Sequence, residues 1–299
     1  IQAAGHESVT VRQVLNLSAS GHSHLTKVTQ NVPSRVGDLI GSAPKSGRPR
    51  WTDLAELFLE RKLTEKIALN LLAKTSTSST SDERLEALIK EATAAGIPVL
   101  IHNSGQTLWE QNGSIGFIGE DPYQMGFKAG QIQAEGGVNH GLCFNQVPGN
   151  PTVEARCTGY VDAMKEAGLE TTYQTIGTGD ATNPQAMLQA IKGTLQANNT
   201  IDGVYTLNAV PAMSALRAVQ EVGRAGEVMI GTADLSNEVL EAIKAGDIAF
   251  AMDQQPYLQG FLSIQTAFQY LNYGLHPIGL VTTGPLVIDS SNVERTLEV

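Results

Sequence analysis

The 299-residue chain is poor in the residues that usually announce a chemistry. It has two cysteines, six histidines and only 5% aromatic residues. No apolar run approaches the ~20 residues of a spanning helix, so none is expected. No basic segment followed by an apolar stretch opens the chain, so it is expected to be a mature product or never exported. His6, His22, His24, His102, His140 and His276 form no HExxH, and none lies beside a serine or cysteine in a nucleophile elbow. No GxGxxG or Walker-type loop follows an apolar run, and Gly177-Thr178-Gly179-Asp180 reads as a turn. Thirteen residues separate Cys143 from Cys157, with no histidine at ligand spacing. Zinc takes about four ligands, so neither a metal nor another cofactor is expected.

Charge is also sparse. Charged residues make up 17% of the chain, and the formal net charge is −10. A nucleic-acid binder needs a basic face, so no nucleic-acid partner is expected. The charge is uneven: residues 1–75 hold 10 Lys+Arg against 6 Asp+Glu, a net of +4, which leaves −14 on the rest. The two cysteines admit two readings, a pair of buried thiols or one disulfide, which needs an oxidising compartment. The length suits two domains of about 150 residues each.

What the chain does have is rhythm. From about residue 85, short apolar runs alternate with amphipathic stretches. Residues 83–95 carry Leu85, Leu88, Ile89 and Ala92 at helical spacing, Gly96 stops the helix, and 97–101 (IPVLI) reads as a buried strand. Further strands are expected at 115–118, 141–145, 171–175, 203–207, 228–232, 248–252 and 284–288. Helices are expected at 123–135, 153–167, 184–197, 212–222, 236–245 and 257–272. This alternation predicts parallel sheets with helices on both faces. In such sheets, ligands bind beyond the carboxyl ends of the strands. The residues there are Asn103-Ser104, Gly119-Glu120-Asp121, Asn145-Gln146, Asn208, Ala233-Asp234 and Asp253-Gln254-Gln255.

Those residue types suit a ligand rich in hydroxyls. Asn and Gln donate and accept at once, Asp accepts from two hydroxyls, and Arg156 adds a planar fork of donors. A site of this kind rejects analogues that leave its polar groups unpaired. Each residue alone also serves as a helix cap or turn former, and only the coincidence at six strand ends points to a site. His102 reads as a ligand contact or a satisfied strand-end histidine rather than a base. Trp109, Phe144, Tyr205 and Tyr257 offer stacking faces, although core packing is the commoner role. Asp121 with Asp234 is the only plausible carboxylate pair for acid–base work, so no enzyme is expected.

Two stretches, "AAGIPVLIHNSG" and "GFIGEDPYQMGFKAGQ", resemble the first lobe and crossover of the type I periplasmic sugar-binding proteins of ABC transporters. "CFNQVPGNPTVEARCTGYVDAM", "IDGVYTLNAVPAMSALRAVQEVG", "VMIGTADLSNEVLEAIKAGDIAFAMDQQPYLQGF" and "VTTGPLVI" continue the likeness in family order, over about 82–290 and within its ribose-like branch. The resemblance implies an α/β fold of two Rossmann-like, three-layer lobes with parallel sheets, joined by a three-stranded hinge. The lobes would comprise residues 1–120 with 255–283 and 121–254 with 284–299, and close on their ligand. It implies ligand contacts from Asn103, Ser104, Asp121, Arg156, Asn208, Asp234 and Gln254, with Ser20, His22, His102 and Asn145 as weaker candidates. The positions of Cys143 and Cys157 resemble a subgroup and favour the disulfide. The implied partners are a small sugar or polyol and a membrane ABC permease, with the protein a monomer. The implied location is periplasmic or extracellular, with lipid anchoring at the cell surface as one form of it. The same fold also serves as a sugar-sensing effector domain of regulators and as a chemoreceptor partner. A regulator would need an N-terminal helix-turn-helix, against which Pro33, Pro44 and Pro49 speak.

The first 75 residues depart from the family pattern. Residues 11–17 can serve as the first strand, and 18–24 as the turn after it. That turn holds Ser18, Ser20, His22, Ser23 and His24 but no Phe or Trp to stack on a sugar. Two readings stand: a divergent segment in which His22 or His24 replaces the aromatic contact, or a stretch displaced in reading frame. Alanine at Asp234 or Arg156 is expected to abolish a ligand response with little loss of fold.

Overall fold

The structure, a computed structural model, describes residues 83–298. The candidates Ser20 and His22, and the elements expected before residue 83, lie outside the described residues. The elements begin with α1 (Glu83–Ala94), β1 (Leu100–Asn103), β2 (Gly116–Gly119), α2 (Pro122–Glu135) and β3 (His140–Asn145). They continue with α3 (Pro151–Glu166), β4 (Glu170–Thr175), α4 (Pro184–Ala197), β5 (Gly203–Thr206) and α5 (Ala209–Glu221). The rest are β6 (Met229–Ala233), α6 (Asn237–Ala245), β7 (Phe250–Asp253), α7 (Pro256–Tyr273), β8 (Leu280–Thr282), β9 (Leu286–Asp289) and α8 (Val293–Leu297). By packing, the described residues divide into two compact units. Unit 1 takes residues 83–119 and 256–283, and unit 2 takes 120–255 and 284–298.

In unit 1 the strands run β1-β2-β8, all parallel. The core holds Ile89, Ala92, Val99, Ile101 and Phe117, with Ile97 and Trp109 packed against it. Trp109 therefore supports the core. The strand read at 97–101 starts three residues later. Gly96, at φ +76, ends α1, and Pro98 has no N–H to give a ladder. β8 was not anticipated, because a three-residue strand is too short to show a period.

Unit 2 carries a six-stranded sheet ordered β4-β3-β5-β6-β7-β9. The first five strands are parallel, and β9 pairs antiparallel with β7, a departure from the all-parallel expectation. Alternation along each strand serves two faces. Leu142, Phe144, Val204, Ile230 and Ala251 pack with residues of α4, α5 and α6. Cys143, Tyr205, Phe250 and Met252 pack on α2 and α3. Phe144 and Tyr205 are thus core residues, Tyr205 stacking on Tyr160 at 5.2 Å.

Helix starts follow simple chemistry. Asp121, Asn150 and Asn183 cap α2, α3 and α4, each with Pro at the next position. The α2–α3 contact rests on glycines. A Cβ at Gly126 would overlap the Arg156 carbonyl oxygen, and one at Gly159 would overlap that of Tyr123. Only glycine admits this approach, which seats Arg156 against the start of α2.

Candidate functional site

The strand ends of unit 2 bring four expected residues together. Asn208 and Asp234 follow β5 and β6, Gln254 follows β7, and Arg156 projects from α3. Asp234 is at φ +64, a left-handed conformation that costs a non-glycine residue energy and recurs at functional sites. Its backbone N–H donates to the Met252 carbonyl at 2.9 Å, which pins it to β7. Asn208 Nδ2 donates to Asp234 Oδ2 at 3.0 Å, and Gln254 Nε2 donates to Asp234 Oδ1. Asn208 also caps α5, its Oδ1 accepting from the Val210 N–H at 3.1 Å.

Arg156 is buried, its side chain 5% exposed, as is Glu120 at 1%. Nε and Nη2 of Arg156 both donate to Glu120 Oε1, Nε at 3.1 Å. Nη1 donates to the Leu207 carbonyl at 3.0 Å. Nη2 also lies 3.9 Å from Asp234 Oδ1, which links the ion pair to the amide cluster. Burial opposes the charge of Arg156, but Glu120 and Asp234 outweigh it and hold the guanidinium above its ordinary value. Burial pushes the Glu120 carboxyl up, and Arg156 opposes that shift. Burial and Asp234 also push Asp253 up, against the N–H of Gln255.

Sequence reading placed Glu120 at a strand end but chose its neighbour Asp121 as the contact. A signal was present: an Asp before Pro122 is a cap signature, which assigns Asp121 to the helix and leaves Glu120 to face inward. Asp121 indeed accepts from the Gln124 N–H at 3.0 Å. Two buried polar atoms here have no partner, Glu120 Oε2 and the Tyr205 hydroxyl. Such orphans are rare in a folded interior.

The other candidates are placed elsewhere. Asn145 is fully buried and fastens a loop: Nδ2 donates to Glu154 and Tyr173, and Oδ1 accepts from the Val147 N–H. In unit 1, Asn103 ends β1 at φ +70 and its Nδ2 donates to Gln259 Oε1 at 3.1 Å. His102 is buried on the same strand, and Ser104 follows, exposed. Cys143 on β3 and Cys157 on α3 form a disulfide with Cα atoms 5.9 Å apart. Among the described residues no group of three or more His, Cys, Asp or Glu is placed to hold a metal ion, and no helix is long and apolar enough to cross a membrane.

Fold and strand-end chemistry together place the chain among α/β proteins with a polar site at the carboxyl ends of parallel strands. The family model described as periplasmic binding protein domain matches residues 76–275, and the chain belongs to that family. It is 25% identical over 224 residues to a xylose/arabinose-binding protein of Sulfolobus acidocaldarius, covering 70% of this chain and 54% of that one. It is 26% identical over 193 residues to a D-ribose/D-allose-binding protein of Pseudomonas aeruginosa, covering 62% of this chain and 59% of that one. The chain thus spans little more than half the length of these curated relatives. A carbohydrate transporter from Acidothermus cellulolyticus, solved with myo-inositol, shares the fold at TM-score 0.67 and 24% identity, covering 85% of this chain and 94% of that one.

Proposed function

We propose that this chain is an extracytoplasmic solute receptor that binds a small sugar or polyol and delivers it to an ABC permease. The observation that carries the reading is the strand-end cluster of Arg156, Asn208, Asp234 and Gln254 in unit 2. Its amide, carboxylate and guanidinium groups hold one another in place before a ligand arrives, and they match hydroxyls that donate and accept. Asn103 is a further proposed contact from unit 1. The relatives named above bind pentoses and hexoses, which supports a sugar. The disulfide suits an oxidising compartment outside the cytoplasm. The receptor acts as a monomer and leaves its ligand chemically unchanged.

The test is a thermal-shift screen over pentoses, hexoses and polyols, followed by calorimetry on the hits. One or more neutral sugars should raise the melting temperature and be recovered intact. No response across the panel, or measurable turnover of a hit, counts against the reading.

A further inference from the structure

An arginine at the centre of a site ordinarily invites anions. Its planar fork matches carboxylate and phosphate with two parallel hydrogen bonds. Here the Nε–Nη2 edge of that fork is already taken. Nε and Nη2 of Arg156 converge on Glu120 Oε1, and Nη1 holds the Leu207 carbonyl. The counter-charge is as buried as the arginine, so solvent does not screen the pair. Asp234 then adds a second carboxylate, 3.9 Å from Nη2 and 24% exposed. Glu120, Arg156 and Asp234 together leave the cluster with one net negative charge. Asp253 and Asp121 add to the negative field around it.

Glu120 also holds a group in reserve. Its Oε2 is buried and unpartnered, and so is the Tyr205 hydroxyl, which lies within electrostatic reach of Glu120, Arg156 and Asp234. An acceptor and a hydroxyl left unpaired beside an ion pair favour a neutral donor, a ligand hydroxyl or a water, and repel a carboxylate.

We propose that Glu120 is a specificity-determining residue that neutralises Arg156 in advance, so that the site takes neutral polyhydroxylated ligands and excludes sugar acids and sugar phosphates. The inference rests on the sugar-binding reading above and deepens it. Without Glu120, Arg156 would have an unoccupied Nε–Nη2 edge beside a cluster whose remaining charge, Asp234, it could balance, leaving room for an anionic ligand.

The test uses the full chain and matched neutral and anionic probes: galactose with galacturonate, glucose with gluconate, ribose with ribose 5-phosphate, and myo-inositol with its monophosphate. Binding is read by calorimetry at low ionic strength. The wild-type chain should bind a neutral probe and take its anionic counterpart at least about tenfold more weakly. Glu120→Gln, which keeps the shape and an acceptor oxygen, should shift that ratio towards the anion by about tenfold or more. Glu120→Asp should retain the preference, and Glu227→Gln, an exposed charge removed outside the cluster, should leave it untouched. A folded Glu120→Gln variant with the wild-type ratio overturns the inference. So does a wild-type chain that binds an anionic probe as tightly as its neutral partner, a result that needs no variant to fold. A wild-type chain silent to every probe instead counts against the sugar reading itself.

Discussion

The two units hold their strand ends differently. In unit 2 the end groups are locked into one connected set: Glu120 on Arg156, Arg156 near Asp234, and Asp234 under Asn208 and Gln254. A disulfide one residue from Arg156 ties the same helix to the sheet, which is buried on both faces. In the described part of unit 1, Asn103 leans on Gln259 of α7 above a core of five buried residues. Both units place a left-handed residue at a strand end, but unit 2 ties its own to two amides and sets it beside a buried ion pair. Substitutions at unit 2 strand ends should therefore disturb fold and binding together, whereas at Asn103 the two should separate.

The largest test of that contrast is Arg156→Ala. It leaves the Glu120 carboxylate buried without a counter-charge, and breaking such a pair costs about 3–5 kcal/mol. Urea unfolding should show a loss of that size. This revises the expectation, drawn from sequence, that alanine at this position spares the fold; burial of both partners is the reason. A loss below about 1 kcal/mol would show that the pair is not held away from water as described.

Next in size is the disulfide. Its removal by the double change Cys143→Ala and Cys157→Ala should cost about 2–4 kcal/mol. The denaturation midpoint of the wild-type chain should fall comparably when it is unfolded under a strong reductant. A double variant as stable as the oxidised wild type would show that the glycine-seated contact between α2 and α3 fixes that helix unaided.

Much of this was legible in the sequence, for physical reasons that differ by element. The α/β alternation showed because both faces of the unit 2 sheet are buried, which yields continuous apolar runs. The Asp-Pro and Asn-Pro pairs that start α2, α3 and α4 were a signal left unused, so two of these helices were expected to begin one or two residues late, whereas the end of α6 was read from Gly246, which lies at φ +83. Asn208, Asp234 and Gln254 were legible as strand-end polar residues, and Arg156 as a donor early in its helix. Glu120 was legible only as a strand-end residue, and its pairing with Arg156 was not, because a glutamate there reads as a solvated surface charge. Its burial depends on glycines 126 and 159, some residues away, that let α3 come close. The last strand was expected at 284–288, but its antiparallel direction was not legible, since direction comes from where the chain re-enters unit 2 at residue 284 and not from any local pattern.

A smaller effect should appear at the opposite end of the unit 2 sheet. Asp202 accepts from the N–H groups of Asn139 and His140 at 2.8–3.0 Å and from Asn139 Nδ2 at 3.0 Å. Burial alone would raise its carboxyl, but these donors outweigh burial and hold it below the usual value of 3.8. A depressed carboxylate stabilises the fold above its unfolded value and loses that contribution as pH falls through the folded one. Asp202→Asn should therefore cost on the order of 1 kcal/mol near pH 7, the side chain being partly exposed. The gap between wild type and variant should close as pH drops below about 3.8. Urea midpoints of both chains measured from pH 7 to pH 3 would check this, and a gap constant across the series would contradict it.

The smallest change in stability carries the clearest separation of roles. Asn103→Gly removes the strain of φ +70 at the end of β1, a gain of up to about 1 kcal/mol. It also removes the hydrogen bond to Gln259, a loss of about 0.5–1.5 kcal/mol. The two nearly cancel, so the melting temperature without ligand should stay close to wild type. The ligand-induced rise should shrink all the same, because the amide is a proposed contact. The matched change in unit 2, Asp234→Gly, relieves the same kind of strain at φ +64 but strips the acceptor from Asn208 and Gln254 and an anion from beside Arg156. There, stability and ligand response should fall together. If Asn103→Gly keeps the full ligand-induced rise, Asn103 belongs to the fold of unit 1 and the binding groups are those of unit 2.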